Sequence, residues 1–315
     1  MMNEQPFLGL SFSPLKFEDL PALAGFLKRH PQPLTGYTFA TLAAYNPYYH
    51  YKWAFGAPEN LIVSCILDSD PYPHLLQPVG PFPEALARSL VGEASKLSYP
   101  LKLIGVSDRF LKENHDFARS FNLHEDRAVS NYVYSASALA QLPGRKYSKK
   151  RNLLSQAKGL YAWDCQALKT PLLGSCFEVL DSIMEEERPA LEGMLERELA
   201  ALECTLRHFE EFDQQGLLIS VDGRPVAFSI FEAINPATVA IHFERALRSY
   251  KGLYQVINLE TAKVIADQGF EFINREEDLG DAGLRDAKLS YHPVEIVPAY
   301  EMTLKSNTVH LTILI

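Results

Sequence analysis

One order of elements runs through this chain twice, and that repetition narrows the folds open to it more than any other feature. In the first half, residues 8–12 have the pattern of a strand. Phe17, Leu20, Leu23, Ala24 and Leu27 then recur at helical spacing, and a shorter helix is expected over 38–44. Strands follow at 51–55, 61–67 and 74–77, then a helix at 82–97 and a strand at 101–106. A helix over 108–121, opened by an Asp cap, and a strand over 129–134 close the half.

The second half repeats the order. A strand is expected at 160–168, and Thr170-Pro171 marks a helix start, with Phe177, Leu180 and Met184 on its apolar face. A further helix fits 191–212. Strand 217–221 joins strand 225–231 through Asp222-Gly223, a tight-hairpin signal. Strand 238–246, a helix from 253 to 268 ended by Gly269, and strands 270–273 and 294–297 complete the set. Each half reads β-α-α-β-β-β-α-β-α-β, with a charged loop in place of the last helix of the second. The expected class is α/β (α+β), two domains each with a mixed sheet flanked by helices; pure βα alternation is excluded. The expected boundaries are 1–143, a basic hinge over 144–159, a second domain over 160–305, and an apolar tail over 306–315 with no pattern partner.

A chain of 315 residues can bury two ordinary cores. Four scattered cysteines with no Cys-x-x-Cys pair suggest neither a zinc site nor a disulfide framework. No run approaches the ~20 apolar residues that span a bilayer, and the N-terminus has no cleavable-signal pattern, so a cytoplasmic, metal-free protein is expected. The net charge of −9 hides a segregation. From Arg127 to Trp163 there is no acidic residue, whereas residues 178–213 hold twelve Asp or Glu against three Arg. The acidic stretch reads as the solvated face of two helices. Five cations within Arg145–Arg151, with Tyr147 between them, suit a polyphosphate or an RNA backbone; a solvated linker helix is the alternative.

The chemistry-bearing stretch lies near the C-terminus, Ile273-Asn274-Arg275-Glu276-Glu277-Asp278-Leu279-Gly280, continuing to Arg285, Lys288 and Tyr291. Charges of both signs beside strand residues are how acids, bases and substrate clamps are placed, or else they salt-bridge a loop closing a sheet edge. This motif, with Asn131-Tyr132-Val133-Tyr134 leading into Leu142–Asn152 and with His242-Phe243-Glu244-Arg245-Ala246 leading into Tyr250–Asn258, resembles the family of the phosphatidylglycerol lysyltransferase C-terminal domain and its stand-alone bacterial members. The resemblance covers about residues 10 to 304. It implies a tandem GNAT acyltransferase architecture, shared with Fem-type peptidyltransferases that take amino acids from aminoacyl-tRNA. The named lysyltransferases move lysine from lysyl-tRNA to a membrane lipid and carry a large transmembrane N-terminal region without counterpart in this sequence, which turns the expectation away from a lipid acceptor.

In a GNAT domain the fourth and fifth strands splay and the acyl donor lies between them; here these would be 238–246 and 270–273. His242 and Glu244 share a strand face, and Glu244 is expected as a base, with a buried structural pair as the alternative. Glu276 and Asp278 are further candidate catalytic carboxylates. Asn274, Arg275, Arg285, Lys288 and Tyr291 are candidate substrate contacts, with Arg as a bidentate clamp. Acetyl-CoA enzymes of this fold hold pyrophosphate with a turn resembling Arg/Gln-x-x-Gly-x-Gly/Ala. Arg248-Ser249-Tyr250-Lys251-Gly252-Leu253 offers one glycine, off by one, which is weak evidence for CoA and shifts the expectation to another donor. Lys251 and the helix start near Leu253 would still accept a phosphate, with Tyr250 and Gly252 as candidate contacts. Glu260, in the apolar stripe of its helix, is expected to pair with Arg275 or Arg285. Lys149, Lys150, Arg151 and Asn152 would meet the donor's phosphates. The expectation is a transferase passing an acyl or aminoacyl group to an amine or hydroxyl, with acyl-CoA or aminoacyl-tRNA as donor. The alternatives are an acetyl-CoA-dependent N-acetyltransferase, or a non-catalytic module for a phosphorylated ligand or an anionic lipid surface.

Overall fold

Strand-forming runs separated by turn residues condense into two seven-stranded sheets in the computed structural model, which describes residues 7–57, 59–187 and 194–305. The tail expected over 306–315 lies outside the described residues. The first sheet runs Ser13–Pro14, Lys52–Gly56, Asn60–Leu67, Asp70–Leu76, Lys102–Ser107, Ala299–Leu304, Phe121–Glu125. The second runs Trp163–Ala167, Gln215–Val221, Arg224–Asn235, Thr238–Ala246, Phe272–Asn274, Asn131–Ser135, Glu295–Val297. In both, the pairing is antiparallel except between the fourth and fifth strands, which are parallel. The duplication is thus visible in the hydrogen-bond pattern itself.

Each sheet takes its sixth strand from the other half of the chain. Asn131–Ser135, in the N-terminal half of the sequence, pairs with Phe272–Asn274 and Glu295–Val297. Ala299–Leu304 crosses back to lie between Lys102–Ser107 and Phe121–Glu125. The sheets therefore do not divide at residue 143, because each half is completed by a strand of the other. Most of the segment expected as a hinge, 144–159, is helical. Arg145–Tyr147 makes a single tight turn and Ser148–Leu160 a helix, whose Leu154 and Ala157 are buried in the larger core.

Other elements differ locally from expectation. The helix expected over 108–121 is capped by Ser107, whose Oγ accepts from Phe110 N at 3.2 Å, and it gives way at Asn114. Phe121–Glu125 is then a strand. The charged loop contains a helix after all, Ala282–Leu289, opened by Asp281, whose Oδ1 accepts from Leu284 N at 2.5 Å. The strand read at 8–12 reduces to a bridge between Phe7 and Leu10.

One apolar core fills the second sheet with the helices Ala136–Gln141, Ser148–Leu160, Leu173–Glu187 and Leu253–Asp267. Another lies on the face of the first sheet that meets the second half. There Leu61, Val63 and Phe39 pack with Val133, Phe212 and Val297. Burial of this kind contributes about 25 cal/mol per Å2 of apolar surface and holds the halves together as one body. No described helix is long and apolar enough to cross a membrane.

Candidate functional site

The strands Thr238–Ala246 and Phe272–Asn274 stay paired for only three residues, Thr238 with Phe272 through Ala240 with Asn274. Beyond Ala240 the first strand continues to Ala246, while the second bends away after Asn274. Glu276 at φ 58° and Leu279 at φ 50° mark the bend. Its backbone stays tied to the neighbouring strand, with Arg275 N donating to Tyr132 O at 2.9 Å and Tyr132 N to Glu276 O at 3.1 Å. Among the described residues, 241–246 thus have no ladder partner on this side, a gap in the sheet bordered by His242, Glu244, Arg275 and Glu276.

Two ionic groups occupy it. In the first, Arg275 Nη2 donates to Glu244 Oε1 at 2.8 Å, and Asn258 Nδ2 lies 3.4 Å from Glu244 Oε2. The Arg275 guanidinium sits 5.2 Å from the Tyr291 ring centre, and Lys150 Nζ sits 3.9 Å from the same ring. Burial, then the charge of Arg275, lowers the Lys150 ammonium to about 8. Burial pushes the Tyr291 hydroxyl up to about 12.

In the second group, His242 lies between two carboxylates, with Nδ1 2.7 Å from Glu276 Oε1 and Nε2 2.8 Å from Glu232 Oε1. Burial alone would lower its pKa. The hydrogen bonds and charges of Glu232 and Glu276 outweigh it and raise the imidazole to about 10, so His242 is a buried cation at neutral pH. Glu277 follows, with Asn131 Nδ2 3.4 Å from its Oε2. Burial, reinforced by the charge of Glu276, raises its carboxyl to about 7. Lys288, 8 % exposed, donates through Nζ to the carbonyls of Arg275 and Glu277, and burial with the nearby Arg275 lowers it to about 8.

The expected residues therefore separate. Glu244, His242, Asn274, Arg275, Glu276, Lys288, Tyr291 and Lys150 meet around the gap. Asn274 is buried, with its Oδ1 accepting from Glu276 N at 2.8 Å and its Nδ2 donating to Asn131 Oδ1 at 3.0 Å. Asp278 is no free base. Arg285 Nε and Nη2 donate to its two oxygens at 2.8 Å each, and Tyr132 Oη donates at 2.5 Å. The Arg285 bonds first of all hold its carboxyl well below the usual range, so Asp278 and Arg285 fasten the loop. Arg151 is likewise committed, donating to Leu142 O and Gly144 O at 2.6 Å each, while Lys149 and Asn152 are exposed on the same helix. Glu260 pairs with Lys263 one turn on, at 3.1 Å, and not with Arg275 or Arg285, whose partners are Glu244 and Asp278.

The turn before the helix Leu253–Asp267 is closed on itself. Lys251 N donates to Tyr161 Oη at 3.2 Å, and Tyr250 packs on Tyr161 with ring centres 5.3 Å apart. Arg248 N donates to Glu186 Oε2 at 3.0 Å, and Ser249 Oγ donates to the same carboxylate. Gly252, at φ 84°, backs onto the helix Ser148–Leu160, where a Cβ would stand 2.7 Å from Leu153 O. Glycine is required there by close packing.

Sequence reasoning missed Glu232, Glu277, Asn131 and Asn258. Glu232 had a signal, a carboxylate inside the apolar run Phe228-Ser229-Ile230-Phe231-Glu232-Ala233-Ile234, and Asn258 had a similar one in the stripe of its helix.

A conserved protein of unknown function from Bacteroides thetaiotaomicron has the same architecture, at TM-score 0.86 and 28% identity, over 94% of this chain and 100% of its own. L-PGS from Bacillus licheniformis superposes at TM-score 0.65 and 14% identity, over 94% of this chain and 93% of that one. FemX superposes at TM-score 0.60 and 10% identity, over 94% and 98%. These last two show the shared fold, a duplicated GNAT-like unit. No curated protein matches in sequence. Residues 28–302 match the family described as phosphatidylglycerol lysyltransferase, C-terminal, and with the paired sheets and the parted strands of the second sheet this establishes that the chain belongs to that family.

Proposed function

We propose that this protein transfers an acyl group, and specifically an aminoacyl group from aminoacyl-tRNA, to an amine or hydroxyl acceptor at the gap beside residues 241–246. The observation that carries the reading is the parting of the strands at Ala240 and Asn274, with buried ions of both signs bordering the opening. The attacking nitrogen or oxygen forms a bond to the donor carbonyl, its proton passes to a carboxylate, and the ester C–O bond to the donor breaks, with the proton delivered to the leaving oxygen. Glu277, next to Glu276 and within reach of the charges of Lys288 and His242, is the base we propose, since a carboxyl raised to about 7 accepts and returns a proton near neutral pH. Glu244 is tied to Arg275, so the pair orients the donor rather than exchanging protons. Lys150 and Arg275 supply positive charge for the carbonyl oxygen as it becomes an oxyanion. Lys149 and Asn152, exposed on the helix that carries Lys150, are proposed contacts for the donor's phosphates.

The turn over 248–253 favours this donor class over CoA. Its amides at Arg248 and Lys251 are already bonded, and the Glu186 carboxylate lies against it, where a pyrophosphate would be repelled. The test incubates the purified chain with bulk bacterial tRNA charged with labelled amino acids and, in parallel, with acetyl-CoA, and follows loss of the ester or thioester. Ester loss that depends on Glu277 and Arg275, with no thioester loss, is expected. Thioester loss alone, or ester loss unchanged in Glu277→Gln, would overturn the reading.

A further inference from the structure

The first sheet also parts at its parallel pair, but the outcome there is different. Asp70–Leu76 and Lys102–Ser107 are paired only at Leu75 with Leu103 and Leu76 with Ile104. Where the ions stand in the second sheet, the first is plugged by neutral side chains. Gln77 Oε1 accepts from Ser107 N and Ser107 Oγ, both at 2.8 Å, and its Nε2 donates to Gln32 Oε1 at 2.7 Å. Tyr37 Oη accepts from Gln77 N at 3.0 Å and donates to Gly105 O at 2.8 Å. No extended arm of a donor can lie between these strands without breaking that network.

In front of the plug is a cavity of about 470 Å3, bordered by Arg29, His30, Gln32, Arg109 and the loop from Gln77 to Phe82. It lies outside the carboxyl ends of the two parallel strands, where sheets of this kind bind ligands, and its size is that of a small-molecule site. The loop is a poor backbone cradle for phosphate. Pro78 and Pro81 have no N–H, Gln77 N is bonded to Tyr37, and Val79 N donates to Leu61 O at 2.9 Å. The positive charge comes from side chains instead. Arg109 is held by a single nitrogen, Nη2, which donates to Pro31 O at 2.8 Å and to Gln32 Oε1 at 3.0 Å. Its Nε and Nη1 therefore keep their donors. Arg29 borders the same cavity, with its guanidinium 5.7 Å from the Phe26 ring centre. Glu113 is the single acid on the wall.

We propose that this cavity is a second ligand site, which binds a small phosphorylated metabolite through Arg29 and Arg109, with His30 and Gln32 as additional polar contacts. Two arginines on the wall of one cavity supply the side chains suited to planar, bidentate recognition of phosphate oxygens. The blocked strand gap limits the ligand to a compact molecule that does not thread the sheet. The site stands on the first sheet and is independent of the transferase reading of the second.

The test is calorimetric titration and thermal shift of the full chain with inorganic phosphate, glucose 6-phosphate, glucose, citrate and CoA. Glucose 6-phosphate and phosphate are expected to bind and raise Tm, and glucose is not. Arg29→Gln, on an exposed helix end, leaves the fold intact and should weaken glucose 6-phosphate by about tenfold, the usual loss for one charge-assisted hydrogen bond. Arg109→Gln should do at least as much, and Glu113→Gln should tighten binding. No binding of either phosphate probe, equal binding in Arg29→Gln, or citrate as tight as glucose 6-phosphate would overturn the proposal. CoA carries phosphates of its own and is expected to weaken in Arg29→Gln as glucose 6-phosphate does; CoA binding unchanged in that variant would overturn the proposal too.

Discussion

Glu277→Gln should make this protein more stable at alkaline pH while removing the proposed activity. The wild-type carboxyl is displaced from its ordinary 4.5 to about 7 by burial and by the charge of Glu276. In the unfolded chain it ionises near 4.5, so between those values the folded state binds the extra proton. Stability contributed by this group is therefore fully present below pH 4.5 and is lost as pH rises through 7. At ~1.4 kcal/mol per tenfold, the accumulated penalty is under about 1 kcal/mol at pH 5 and about 3 kcal/mol at pH 8. Glutamine keeps the shape and an oxygen to accept from Asn131, and it carries no charge to desolvate. Some of the gain is offset by lost attraction to Lys288. The expected net effect is about 2 kcal/mol at pH 8 and near zero at pH 5, read as the shift in urea midpoint of variant against wild type at both pH values. A variant that is less stable, or a gain that does not change with pH, would refute the claim that this carboxylate is held in a hostile site.

Three further perturbations follow from the same geometry. Arg275→Ala strands the buried Glu244 carboxylate and should cost about 3–5 kcal/mol, whereas Glu244→Leu combined with Arg275→Met should recover much of that in a denaturation cycle. His242 is raised to about 10 by its two carboxylates, so the stability it contributes is complete below about 6.5 and lost as pH climbs through 10. Unfolding measured from pH 6 to 10 should show this decline, and His242→Gln should be destabilised most at pH 6. Gly252→Ala should lower stability by about 1–3 kcal/mol, since it places a Cβ 2.7 Å from Leu153 O at φ 84°. A thermal melt with an unchanged Tm would show that the helix Ser148–Leu160 is not pressed against this turn.

Much of this molecule is local, and that part the amino-acid order determines unaided. Apolar spacing distinguishes helix from strand for most elements. Asp222-Gly223 takes positive φ at both positions, 51° and 78°, as a tight hairpin demands, and Gly269 at 90° ends its helix. The motifs at Asn131–Asn152, His242–Asn258 and Ile273–Tyr291 carry the family in the sequence itself. What remained hidden depends on neighbours far along the chain. Periodicity marks Asn131–Ser135 as a strand, yet nothing within those residues says which sheet receives it. The two sheets offer equivalent sixth positions, and only the folded path of the chain selects the reciprocal exchange with Ala299–Leu304. The charges obey the same rule. A run of acids and bases announces ion pairs, but distance in the folded state decides that Asp278 meets Arg285, Glu244 meets Arg275, and Glu260 meets Lys263. Of these pairings only Asp278 with Arg285 lies wholly within the loop and fastens it. Coulomb energy depends on separation and burial, which sequence order does not encode.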